Sequence, residues 1–318
     1  MSEPVGPLDS LRHPRFAGLR TFARLPQLEA VGRADVAVLG APFDGAASFR
    51  PGARFGPAAI REASLLLRPY NEPLDLLPFA EAQVADAGDA GPDPLEIGAA
   101  HAAIQARAAE LHDAGARVLG LGGDHSVALP LMRAAAARHG TLSLLQLDAH
   151  TDTWDEYFGH RVSHGTVMRR AAEEGVVDPS ASVQIGLRGP LYAAGDMADN
   201  AALGFHALLA RELDAKGIEG ALALAREHLR APVYVSLDID VLDPAYAPGT
   251  GTPEPGGLTS RELLAILRGL APTGLRVVAA DVVEVSPPYD PAGVTAMAAA
   301  AAAYDLVGLM ARDGPPRP

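Results

Sequence analysis

The chain has 318 residues, 48% hydrophobic and 20% charged, with 39 acidic against 26 basic side chains and a formal net charge of −13. That length and balance allow a large buried core and exclude wholesale disorder, while the negative charge repels phosphate backbones and argues against a nucleic-acid partner. The absence of cysteine excludes disulfides, thiolate nucleophiles and zinc–sulfur sites, and fits a cytoplasmic protein.

Residues 1–34 contain several prolines without clear periodicity and no basic-then-apolar leader pattern. They are expected to form an irregular extension wrapped on the surface or on a neighbouring subunit. The apolar or β-branched runs Val36–Leu39, Val84–Ala85, Arg117–Leu121, Leu142–Leu147, Val183–Leu187, Val233–Leu237 and Val277–Val283 predict strands, with a weaker run near Leu203–Ala207. Between them, Leu95–Asp113, Val127–His139 and Ser260–Leu270 read as helices, the last opened by a capping box of Thr259 and Glu262. The apolar stretch Thr295–Met310 contains Asp305 and falls short of the roughly 20 residues a bilayer requires, so it predicts a buried helix and no membrane span. Residues 312–318 are expected to fray. Strands alternating with helices imply an α/β protein, one domain over 1–318, with a parallel sheet of about eight strands covered on both faces.

Within Ser48–Arg61, a Gly/Pro-punctuated loop running into a helix, Arg50 and Arg54 are read as locking the loop, with anion binding the alternative. Three other segments follow strands: Gly122-Gly123-Asp124-His125, Asp148-Ala149-His150-Thr151-Asp152 and Asp238-Ile239-Asp240. In open parallel sheets the binding crevice lies at the carboxyl ends of the strands, which brings all three together. In extended backbone, positions i, i+2 and i+4 share a face. Asp148, His150 and Asp152 would therefore point together, as would Asp238 and Asp240. With His125 the set holds four carboxylates and two imidazoles. Such a convergence is prohibitively repulsive without cations. Two divalent ions would neutralise it, and an oxygen-rich donor set without thiolate leans towards manganese. Two ions about 3.5–4 Å apart can activate a shared water.

These segments carry a family resemblance. GGDHS at 122–126, DAHTD at 148–152, SHGT at 163–166, SLDIDVLDPAYAPGTGTPEPGG at 236–257 and DVVEVSPPYD at 281–290 resemble the signatures of the ureohydrolases: arginase, agmatinase, guanidinobutyrase and their relatives. The resemblance runs from about Pro26 to Leu309. It implies an arginase-type three-layer α/β/α sandwich and two Mn2+ per chain. One ion would be held by His125, Asp148, Asp152 and Asp238, the other by His150, Asp148, Asp238 and Asp240. It also implies that Glu284 pairs with a guanidinium, that His164 moves a proton, that Asp152 orients the attacking hydroxide, and that the chain forms homotrimers or homohexamers.

The expected reaction is release of urea from a small cationic guanidino compound, with agmatine the first choice. Guanidinobutyrate, guanidinopropionate, guanidine and biguanides are the alternatives, and a non-catalytic paralogous subunit is the alternative of another class. Trp154, Asp155, Glu156, Tyr157 and Phe158 are candidates to face a terminal amine; Arg161 or Arg188 would serve a carboxylate. Val167-Met168 after HGT is expected at the pocket wall. Asp86 and Asp89 are read as loop hydrogen bonders, Asp124 as structural and Asp281 as a support for the site. His13, His101, His112, His139, His160, His206 and His228 are read as surface or helix residues.

Overall fold

The computed structural model describes residues 3–312. Eight strands form one sheet: β1 Val36–Ala41, β2 Val84–Asp89, β3 Arg117–Gly122, β4 Ser143–Leu147, β5 Val183–Leu187, β6 His206–Leu209, β7 Val233–Asp238 and β8 Val277–Val283. All neighbours pair in parallel, in the order β2-β1-β3-β8-β7-β4-β5-β6. The central strands are buried on both faces, which is why they read as continuous apolar runs instead of alternating patterns.

Each face of the sheet carries its own apolar layer. One is completed by helices Gly56–Ser64, Ala210–His228, Ser260–Gly269 and Val294–Ala311, through Ile60, Leu222, Leu263 and Leu306. The other is completed by helices Ile97–Asp113, Ala128–His139 and Val167–Glu173, through Ile104, Met132 and Ala171. The expected three layers are therefore present. Thr259 starts its helix as expected: its hydroxyl accepts from the Glu262 N–H at 3.2 Å, and the Glu262 carboxylate accepts the Thr259 N–H at 2.8 Å.

Four expectations need adjustment. The weak strand lies later than Leu203–Ala207, because Leu203 closes the helix Asp196–Leu203 and Gly204, at φ 109°, ends it before β6 begins. The apolar C-terminal segment is longer than expected: Pro291–Ala311 has 21 residues and is long and apolar enough to cross a membrane, yet most of it is buried in the fold. Asp305 within it is matched by Asn71 Nδ2 and Arg268 Nε, each at 2.8 Å. Arg312 is tied down through Nη1 to the Leu74 carbonyl at 3.0 Å, while 313–318 lie outside the described residues. Val167 and Met168 are core residues, 1% and 0% exposed, not pocket wall.

The N-terminal segment lies along the edge strand β2. Gln83 exchanges hydrogen bonds with the Val5 backbone at 2.8 and 3.1 Å, and the Phe22 N–H donates to Asp86 Oδ2 at 2.7 Å. This covers an otherwise open sheet edge. Asp86 and Asp89 at the end of β2 are held by Arg61 at 2.9 and 2.6 Å, so they form ion pairs as well as loop hydrogen bonds.

Candidate metal centre

β7 and β8 insert between β3 and β4, so the carboxyl ends of β3, β8, β7 and β4 lie side by side. His125 follows β3, Glu284 follows β8, Asp238 ends β7 with Asp240 beyond it, and Asp148 follows β4. All six residues expected to hold metal meet there. His125 Nδ1 lies 2.9 Å from Asp152 Oδ2, 3.1 Å from Asp148 Oδ2 and 3.3 Å from Asp238 Oδ2. His150 Nδ1 lies 3.1 Å from Asp240 Oδ2 and 3.6 Å from Asp148 Oδ1. Two ligand groups result, His125–Asp148–Asp152 and Asp148–His150–Asp240, joined by Asp148.

The backbone reaches this arrangement by a different route from the extended one expected. Residues 148–152 are not strand, and Asp152 sits at φ 53°, in the left-handed region. Asp240 lies in a 3-10 turn, Ile239–Val241. The two central carboxylates each accept the N–H two residues on: Asp148 Oδ1 from His150 at 2.6 Å, and Asp238 Oδ1 from Asp240 at 2.8 Å. These local turns leave both Oδ2 atoms facing His125. Glu284 also has positive φ, 65°, and such strain in non-glycine residues concentrates at functional sites.

The donor set fits divalent cations. His125 Nδ1 is fully buried and makes no hydrogen bond despite its three carboxylate neighbours, the geometry of a lone pair aimed at a shared centre. Burial pushes the Asp238 carboxyl well above its usual range, and the charges of Asp240 and Asp148 add to this. Burial also acts to raise Asp148, but the two imidazoles outweigh it and hold that carboxyl below its usual value. Bound cations would relieve the crowding among these acids.

Several supporting residues escape a reading of motifs. His125 Nε2 lies 2.9 Å from Ser236 Oγ, which donates to Asp281 Oδ1 at 2.8 Å. Asp281 also accepts from Tyr234 at 2.6 Å. On the other side runs a chain of buried amides. Thr153 Oγ1 donates to Asn200 (3.0 Å), Asn200 to Gln184 (2.7 Å), Gln184 to Gln146 (2.6 Å) and Gln146 to Asp148 Oδ2 (2.7 Å). The available signal was a glutamine inside the apolar run of β4. Asp124 is structural, as expected: its carboxylate accepts the N–H groups of Ser126 at 2.9 Å and Ala46 at 2.8 Å.

Above the acids lies a cavity of about 570 Å³. Its polar walls include Ser48, Arg50, His150, Asp152, His164, Asp238 and Glu254; Trp154, Tyr157 and Tyr192 form an aromatic side. Trp154 and Tyr157 stack at 5.4 Å, and the Tyr157 and Tyr192 hydroxyls meet at 2.7 Å. Glu284 is 1% exposed and its Oε1 accepts the His125 N–H at 2.8 Å. His164 places Nδ1 3.5 Å from Glu284 Oε1 and Nε2 2.7 Å from Ser48 Oγ. Burial opposes its charge, yet Glu284 lifts the imidazole to about 9.

The arginines divide differently from expectation. Arg54 locks its loop through Asp44. Arg161 pairs with Glu173 at 3.0 Å and does not line the cavity. Arg188 is spent on the carbonyls of Asp240 at 2.7 Å, Val241 and Leu242 at 3.1 Å, and Glu254 at 2.7 Å. Arg50 lines the cavity, rests 5.1 Å from the Tyr289 ring centroid and has no ion-pair partner among the described residues. Of the candidate loop residues, Trp154 and Tyr157 face the cavity, Asp155 pairs with Arg170 at 2.7 Å, and Phe158 is 77% exposed.

Comparison with known proteins agrees with this architecture. A guanidinopropionase of Pseudomonas aeruginosa is 44% identical over 307 residues, covering 96% of each chain. A guanidinobutyrase of the same species is 41% identical, covering 95% of each. The structure of proclavaminate amidinohydrolase from Streptomyces clavuligerus superposes with a TM-score of 0.88 at 43% identity, covering 94% of this chain and 99% of that one. Residues 34–308 match the arginase family as a whole, and the chain belongs to that family.

Proposed function

We propose that the chain is a two-metal hydrolase that releases urea from a short linear guanidino acid. The metal-binding part rests on the convergence of His125, Asp148, His150, Asp152, Asp238 and Asp240 in two groups that share Asp148. Bound there, two divalent ions, which we take to be manganese, would activate a water at neutral pH and screen charge developing at the attacked carbon. The chain's own groups supply the rest. Glu284 is a buried carboxylate beside the centre and pairs with the guanidinium in a charge-assisted contact. Asp152, on the cavity wall, orients the attacking group. His164, held protonated by Glu284 and open to the cavity, gives a proton to the leaving amine.

The choice of an acid rests on one observation. Among the described residues, Arg50 is the one arginine or lysine on the cavity wall, and its guanidinium has no carboxylate partner. An arginine so placed suits a substrate carboxylate. Two of the relatives above are named for guanidino acids, which agrees. Agmatine, favoured from the sequence, stands as the second reading because Glu254 on the same wall suits a terminal amine. Assembly into trimers or hexamers is part of this proposal.

The test is urea release by manganese-loaded protein offered guanidinopropionate, guanidinobutyrate, agmatine, arginine, guanidine and a biguanide side by side. The acids should be preferred, and Arg50→Met should lower kcat/KM for them by about tenfold or more while sparing agmatine. Preference for agmatine with indifference to Arg50→Met would replace the first substrate reading by the second.

A further inference from the structure

We infer that Glu254 is the positioning residue for His150, and that the two halves of the proposed centre are supported separately, so that the half built on His150 and Asp240 can be lost alone. The inference rests on the two-metal reading above.

An imidazole binds a cation through its unprotonated nitrogen, and the group facing its other nitrogen decides which one that is. His150 turns Nδ1 to Asp240 and Asp148, and its Nε2 lies 3.9 Å from Glu254 Oε1. At that distance the carboxylate acts by charge and not through a hydrogen bond, and it favours the proton on Nε2 and the lone pair on Nδ1. Among the described residues that carboxylate makes no other ion pair, though it also lies within the electrostatic reach of Arg188.

Its seat is built for it. Gly189, at φ +85°, lies directly beneath: a Cβ there would fall 2.7 Å from Glu254 Cδ and 3.0 Å from both of its oxygens. Any side chain at 189 would displace the carboxylate. Arg188, the next residue back, donates to the Glu254 carbonyl and to those of Asp240 and Leu242 at 2.7, 2.7 and 3.1 Å. One guanidinium thus ties the Glu254 loop to the turn that carries Asp240. From the same loop, Thr252 Oγ1 reaches Asp240 Oδ2 at 3.4 Å. The loop therefore backs both His150 and Asp240.

His125 is held by other groups, Ser236 and behind it Asp281. These sit within β7 and β8, away from the Glu254 loop. Removing either support should loosen one ion and leave the other.

The experiment is a manganese count per chain after loading and dialysis against a weak chelator, with electron paramagnetic resonance to separate coupled pairs from isolated ions. Wild type should keep a coupled pair. Glu254→Ala should keep about one ion, isolated, its second site weakened about 10–100-fold. The retained ion also shows that the variant is folded. Glu254→Gln, which keeps the shape and an acceptor oxygen facing Nε2 but not the charge, should recover part of the pair. Ser236→Ala should also keep one ion, and the double variant none. Retention of the pair in Glu254→Ala, with only KM for agmatine raised, would make Glu254 a substrate contact and overturn the inference. Loss of both ions in that variant would overturn the separate support. A wild-type chain that never holds a pair would instead remove the two-metal reading on which the inference stands.

Discussion

Gly123 shows how one residue positions the centre. A Cβ at this site would lie 1.7 Å from the Phe43 carbonyl oxygen, a collision with backbone that no rotamer relieves. The close approach lets the Asp124 N–H reach the Phe43 carbonyl at 2.8 Å and the Glu284 N–H reach the Gly123 carbonyl at 2.8 Å. Gly123→Ala must push His125 and Glu284 off their places. A misplacement on the order of 1 Å costs about 100-fold in rate, so urea release should fall at least that far, together with the melting temperature. Gln146 acts by polarity instead. Gln146→Leu leaves one Gln184 amide N–H without its acceptor and Asp148 Oδ2 without its amide donor, a cost of about 1–3 kcal/mol, so both stability and manganese retention should drop. Titration with manganese followed by thermal melting would read both. The convergence of these acids and histidines was legible in sequence because acids beside buried runs have few bland explanations. Gln146 left only the mark of a glutamine inside an apolar run, and Ser236 and Glu254 left none, since they act on His125 and His150, more than a hundred positions away. Arg50 was visible in sequence, but only the fold shows that it lines the cavity and makes no ion pair among the described residues.

Elements were legible where the pattern was long. The runs Val183–Leu187 and Val277–Val283 appear as strands with those bounds, and the Thr259 capping box starts its helix. The errors fell where local chemistry overrode the pattern: Gly204 stops a helix and delays β6, and the bend at Asp152 replaces an extended arm. Helix Ile97–Asp113 hides another feature. His101 and His112 on it are 5% and 1% exposed. Burial, aided by the neighbouring His139, pushes the His112 imidazole down from 6.5 to about 4, against the raising effect of the Ala116 carbonyl. The folded chain therefore resists a proton that the unfolded chain takes up near 6.5. The resulting stability is complete above 6.5 and is lost as pH falls towards about 4. Melting temperature should decline across that window, and His112→Gln should flatten the decline. An unchanged slope would show that His112 does not carry it.

At the scale of the molecule, the fold uses its sheet order to make the centre. Strands early and late in the chain lie side by side, so motifs more than a hundred residues apart meet at one sheet end. The convergence was legible because every motif follows a strand, but the shape of the cavity above it was not, since loops distant in sequence build it. The concentration of buried acid that results should make the molecule depend on its ions for activity, and in part for stability, since ligands that bind only the folded state raise its melting temperature. The most direct test of the whole account is urea release from guanidinopropionate by metal-stripped protein as manganese is restored, with Asp148→Ala in parallel. The account predicts that activity rises with manganese to saturation at about two ions per chain, and that Asp148→Ala, lacking the carboxylate common to both groups, stays inactive throughout. Full activity in the stripped protein, or in Asp148→Ala, would contradict it.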